Sequence, residues 1–348
     1  MRRYSILTLF LLILGTGYWT MQLDRTPTTN LQKPGKQAIN VLLGGDIYAG
    51  NRMMEPFYRK GAQYFTKKVD RLSRRADLHL ANLESPITKR TTTNVNKRYI
   101  LRSHPQVGLR VLRHLGVDGV SLANNHMMDY GARGLLDTVN HLSDNGVKFT
   151  GAGANREWAS KPVYFRKKGN RIGFVAFSNT YPESFWAHKK QPGTAYGSPE
   201  LVKRRIKELE AQSDFSIVSF HWGDELDTHP KSYQEQLARL AVRNGVDVVF
   251  GHHPHSVQPI EYYKDGVILY SLGNYFFTTK SSDVQHGLLA NVRLKNGKRP
   301  DVKFHVLNVN NFQVGYRPEP VRQFQNPRQV ALFFKRPDFR VAETVQLP

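Results

Sequence analysis

Two hydrophobic patterns alternate along most of the chain. The first is a short run of four to six consecutive apolar, β-rich residues: "VLLGG", "ADLHLA", "GVSLA", "SIVSF" and "VDVVF". Runs apolar on successive positions are what strands look like when both faces are covered. The second is helical. "HPQVGLRVLRHLG", "ARGLLDTVNHLSDNG", "SPELVKRRIKELEAQ" and "SYQEQLARLAVRNG" each precede such a run. Their apolar residues sit three or four apart, as in Leu237, Leu240 and Ala241, or Leu201, Ile206 and Leu209. Helices alternating with buried strands predict an α/β sheet. Turn signals at Lys168-Gly169-Asn170, Asp265-Gly266 and Asn296-Gly297 add hairpins, hence antiparallel strands and a second packed sheet.

The N-terminus breaks the pattern. After Arg2 and Arg3, no charged residue occurs from Tyr4 to Leu23, a stretch of 20 residues. That length suits one membrane-spanning helix. The arginines place the short end in the cytoplasm and the body outside, in the periplasm or at the cell surface. A cleaved signal peptide is the rival reading, but no A-x-A site or lipobox cysteine is present. A retained single-pass anchor over 4–23 is therefore expected. A polar linker follows over 24–38, a folded body over 39–316, and a proline-punctuated tail over 317–348 packed on that body.

Composition narrows the chemistry. The chain has no cysteine, so disulfides and thiolate metal sites are excluded. Any metal must rely on nitrogen and oxygen donors. Lysine and arginine total 50 against 28 acids, a net charge of +22. Such an excess attracts polyanions. No basic block with interleaved aromatics appears, so nucleic acid is not expected as a partner.

In α/β sheets, ligands bind beyond the carboxyl ends of strands. The predicted strand ends deliver Asp46, then Asn82 and Glu84, then Asn124, Asn125 and His126, then His221, then His252, His253 and His255 in "VDVVFGHHPHSVQPIE". Each residue alone has an ordinary structural reading, as a cap or a core histidine. Together they form a set of hard and borderline donors, suited to divalent zinc, manganese or iron.

The segments "GGDIYAG", "ANLESPIT", "SLANNHMMDYG", "FHWGDE", "GHHPHSVQPIE" and "LYSLGNYFF" resemble, in order, the CapA family of bacterial capsule and poly-γ-glutamate biosynthesis. That family looks like a branch of the calcineurin-like metallophosphoesterases. The resemblance covers about residues 39–280. It implies a four-layer αββα sandwich and a site for one or two divalent ions. It implies Asp46 for the first ion, Glu84 as the bridge, Asn125 and His221 for the second, and His253 and His255 as the closing pair. His126 resembles the leaving-group histidine, with Asp129 either orienting it or capping a helix. Asn82, Asn124, His252 and Asn274 are candidates for substrate contact or support. Two residues depart from the metallophosphoesterase pattern. Tyr48 stands where Asp-x-His motifs carry histidine, and Glu84 replaces an aspartate.

The resemblance implies an anchored, metal-binding, hydrolase-like protein of anionic polymer synthesis or export, working beside other capsule-synthesis subunits. Two alternatives stay open: a non-catalytic polyanion-binding scaffold of the polymer synthetase, and a periplasmic phosphodiesterase unrelated to capsule. The aromatic stretch "SFWAHKK" (Ser184–Lys190) is either a lid over the site or a surface loop.

Overall fold

A computed structural model describes residues 36–93 and 97–321. The expected anchor at 4–23 lies outside the described residues, as do most of the linker and of the tail. Among the described residues, no helix is long and apolar enough to cross a membrane.

Two mixed sheets form the body. The first orders its strands as Glu319–Pro320, Asp301–Asn308, His286–Leu294, Ile39–Tyr48, Leu78–Leu83, Gly119–Ser121 and Lys148–Thr150. Asn274–Phe277 also pairs with Ile39–Tyr48, in parallel. The second sheet runs Val257–Tyr263, Gly266–Leu272, Val248–His252, Phe215–His221, Asn170–Ser178 and Val163–Lys167. Its centre is parallel and its two edge pairs are antiparallel. The edge pairs are the predicted hairpins. One turn falls at Lys264-Asp265, a residue earlier than expected, because Gly266 already pairs with Tyr263.

Strand alternation explains the layering. Successive side chains point to opposite faces. Val41 and Leu43 face inward with Leu78 and Leu80, against Phe174, Ile217, Val248 and Phe250 of the second sheet. Leu42, Ala81 and Leu83 face outward, beneath Phe65, Val69, Val111, Leu115 and Leu135 of the flanking helices. On the far side, Val202, Ile206, Leu237 and Ala241 cover Val175, Val218 and Val249. Helices thus close both outer faces, giving four layers. Each fully buried Val, Leu or Phe contributes about 1.5–3 kcal/mol. Truncating a residue such as Leu80 to alanine costs about 2–5 kcal/mol.

Two glycines let the backbones close up behind the strand ends. A Cβ on Gly45 would lie 1.9 Å from the Gly273 carbonyl oxygen, and one on Gly251 would lie 2.0 Å from that of Tyr270. The beginning of the tail joins the body, since Glu319–Pro320 pairs with Asp301–Asn308.

Candidate metal centre

The sequence places the donors after their strands, but the structure puts four of them on the strands. Asp46 and Asn82 are paired neighbours within Ile39–Tyr48 and Leu78–Leu83. His221 ends Phe215–His221 and lies in register with His252. Glu84 follows directly, its amide bonded to the Ile47 carbonyl at 2.9 Å. His253 and His255 occupy the turn beyond, both with positive φ, 95° and 53°. Such backbone is costly for a residue with a Cβ, about 1–3 kcal/mol, and is kept where the surroundings enforce it. Here it turns the two imidazoles toward the carboxylates.

Two donor sets share Glu84. One is Glu84, His221 and His253; the other is Asp46, Glu84 and His255. Within each set the ligand atoms all lie within 4.8 Å of one another. Asn125 joins the first set, its Oδ1 accepting from His221 Nε2 at 3.0 Å. In the second set, His255 Nε2 lies 3.5 Å from Glu84 Oε1, and its Nδ1 lies 3.4 Å from Asp46 Oδ2. Asn274 Oδ1 accepts from that same Nδ1 at 2.8 Å, which fixes the ring.

Amides tie the carboxylates in place. Asn82 Nδ2 donates to Asp46 Oδ1 at 2.9 Å and approaches Glu84 Oε2 at 3.4 Å. Asn124 Nδ2 donates to Asn82 Oδ1 at 3.2 Å and to the Leu83 carbonyl at 2.8 Å. Asn82 thus braces both carboxylates, and Asn124 braces Asn82. His252 also lies against a ligand candidate. It is fully buried, with Nδ1 3.2 Å from Asp46 Oδ1.

Electrostatics separates the groups. Burial works against the charge on Asp46, but His252 and His255 hold its carboxyl well below the usual range. Burial, with Asp46 beside it, pushes Glu84 up. Burial and the neighbouring His253 push His221 down. Burial and His255 push His253 down to about 3. For His255 burial opposes the proton, yet Glu84 and Asp46 raise it to about 10.

His126 stands beside this cluster, and Asp129 is no helix cap. His126 Nδ1 donates to Asp129 Oδ2 at 2.7 Å. Asp129 also accepts from the Leu101 amide (2.7 Å) and from Lys97 Nζ (2.7 Å). Lys97 further donates to the Asn125 carbonyl at 2.6 Å, linking the histidine to the first donor set. Sequence reasoning misses Lys97: nothing distinguishes one lysine in so basic a chain. Tyr48 leaves the donor cluster. Its ring packs on Phe277, 5.2 Å between centroids, and folds against Gly50.

The residues fit a divalent cation. Glu84 Oε1 and His253 Nδ1 are buried without a hydrogen-bond partner. Buried polar atoms without a partner are rare and need an explanation, and an ion is one. Neutral imidazoles with carboxylates and an amide are the donor chemistry such ions take.

Paired sheets with this cluster at their strand ends make the chain a mixed α/β protein of metallophosphoesterase-like fold. A putative 5'-nucleotidase from Staphylococcus aureus superposes with a TM-score of 0.50 at 13% identity, over 85% of this chain and 57% of that one. The chain belongs to the bacterial capsule synthesis protein PGA_cap family, which matches residues 40–279. The capsule biosynthesis protein CapA of Bacillus anthracis is 30% identical over 298 residues, 82% of this chain and 72% of that protein. The PGA biosynthesis protein CapA of Bacillus subtilis (strain 168) is 30% identical over 305 residues, 87% and 79% respectively.

Proposed function

We propose that this protein is a membrane-anchored, extracytoplasmic metal-binding member of a capsule or poly-γ-glutamate synthesis and export system, with a hydrolase-type site. The observation that carries the reading is the pair of donor sets sharing Glu84, with orphaned donor atoms at Glu84 and His253. Family membership supports the pathway, and the apolar segment at 4–23 supports the anchor. The net charge of +22 suits a polyanionic partner.

Asp46, Glu84 and His255 would hold one ion, and Glu84, Asn125, His221 and His253 another. A divalent ion at such a centre supplies Lewis acidity toward an ester or amide and lowers the pKa of bound water toward ~7. The chain's own residues do the rest. Asn82, Asn124 and His252 orient the carboxylates. Asp129 accepts from His126 Nδ1, which fixes the ring and leaves Nε2 to move a proton at the leaving group. Positioned proton transfer of this kind contributes about 10²–10⁴-fold.

The displaced Tyr48 favours a second reading, a scaffold that grips the polymer without turning it over. The His126–Asp129–Lys97 network speaks against it, because a scaffold has no use for a tethered proton donor. The deciding experiment is elemental analysis of the purified protein and of Asp46→Ala and His253→Ala, alongside phosphodiesterase turnover. Metal in the wild type, its loss in His253→Ala with a smaller loss in Asp46→Ala, and turnover that follows it are expected. A metal-free wild type defeats the proposal. Metal without turnover, with polyglutamate bound, leaves the scaffold.

A further inference from the structure

His253 reaches out of the metal centre into a cavity of about 830 Å³. Its far walls are aromatic: Tyr181, Trp186, Tyr196 and Tyr233. A second cavity, of about 420 Å³, is lined by Arg156, His188 and Arg204. Trp186 and Tyr196 line both. Their rings stack at 3.9 Å between centroids, 21° apart. The two clefts thus share one two-ring partition.

The partition is built rather than incidental. Trp186 Nε1 donates to the Thr180 carbonyl at 3.0 Å. The backbone bridges Trp186 to Thr194 and His188 to Gln191. Tyr181 lies 6.0 Å from Trp186 and is 72% exposed, so the aromatic surface continues outward. "SFWAHKK" is exposed at Ser184 and from His188 to Lys190, while Trp186 is wall and His188 lines the second cleft. Beyond the wall two arginines face one carboxylate, Glu200, so the charge is positive on balance. Arg156 and Arg204 are both exposed, and Arg204 is only loosely paired with Glu157, at 3.9 Å.

We infer that these two clefts form one extended groove for a linear oligocarboxylate, with its reacting link at the metal centre, its methylene and amide backbone along Trp186 and Tyr196, and a distal carboxylate on Arg156 and Arg204. The inference rests on the site reading above and specifies which residues set substrate length. Aromatic faces accept apolar and amide stretches of a chain. Guanidinium forks match carboxylates. A short anion reaches only the inner cleft, and a longer one spans both. Length selectivity then follows from Arg156 and Arg204, which touch nothing in the metal centre.

The test uses the full chain and calorimetric titration with a γ-linked glutamate dimer, a longer γ-linked oligomer and a linear polyphosphate of matched charge. The double variant Arg156→Ala/Arg204→Ala should weaken the long oligomer roughly tenfold and leave the dimer unchanged. Trp186→Ala should weaken both. Metal content, measured in parallel, should be the same in wild type and double variant. Both arginines are on the surface, so the double variant keeps its fold. Unchanged long-oligomer affinity in that variant overturns the groove, and so does polyphosphate binding as tight as the oligomer. A metal-free wild type that still shows the length dependence defeats the site reading and leaves the groove standing.

Discussion

The two donor sets that share Glu84 are built from the same residue types, yet they are poised differently. In the first, burial keeps both His221 and His253 neutral, helped by His253 beside His221 and by His255 beside His253, so both imidazoles meet a cation without a positive charge. In the second, Asp46 and Glu84 hold a proton on His255. The first set is vacant of positive charge, whereas the second already carries one where an ion would sit. Ligands must be deprotonated to bind, so loading the second set competes with that proton. One cluster thus contains a ready site and a guarded one. The difference comes from carboxylate count: His255 lies between two, while His221 and His253 face one and each other.

The largest expected effect is on the shared residue. Glu84→Gln should empty both sets, read as near-complete loss of metal by elemental analysis. The metal-free variant should melt no lower than metal-free wild type, because a carboxylate buried beside Asp46 is removed. One full equivalent of metal retained by Glu84→Gln would show that the sets do not share a bridge.

Chelation separates the sets by stability. Binding to the folded state alone stabilises by about 2.7 kcal/mol when ligand exceeds its dissociation constant 100-fold. Stripping wild type with a chelator should lower the melting temperature by several degrees. His253→Ala should reproduce most of that drop, and Asp46→Ala a smaller part, since the bare set binds more tightly. Equal drops in the two variants would erase the distinction between ready and guarded sites.

Much of this arrangement is legible in the chain, and the reason is physical. Strands covered on both faces must be continuously apolar, so "VDVVF" and "SIVSF" announce themselves. Their ends must then carry whatever chemistry the fold positions. Hairpins at Asn296-Gly297 and Lys168-Gly169 show because their turns need positive φ, which glycine takes freely; Gly169 and Gly297 have φ of 79° and 68°. What stays hidden depends on contacts distant in sequence. His252 meets Asp46 only because the two sheets pack face to face. Lys97 is anonymous until its loop folds over Asp129. Trp186 and Tyr196 stand ten residues apart, and no periodicity says that they stack.

The smallest effect tests whether the guarded site lacks only a ligand. Position 48 is two residues beyond Asp46 on the same strand, so both side chains start on one face. The Tyr48 ring turns away onto Phe277, and His255 packs on that ring too, at 4.8 Å. Position 48 and His255 therefore flank one phenyl group. In Tyr48→His, the shorter ring no longer folds against Gly50 and gains a nitrogen donor near Asp46. A neutral donor adds affinity without adding charge, whereas the His255 proton still has to leave. The gain should therefore be modest: metal per chain rising from about one toward two, at severalfold lower free metal than wild type requires. Titration followed by elemental analysis measures it. A folded variant with the wild-type stoichiometry would mean that the proton on His255, and not the missing imidazole, is what limits the second ion.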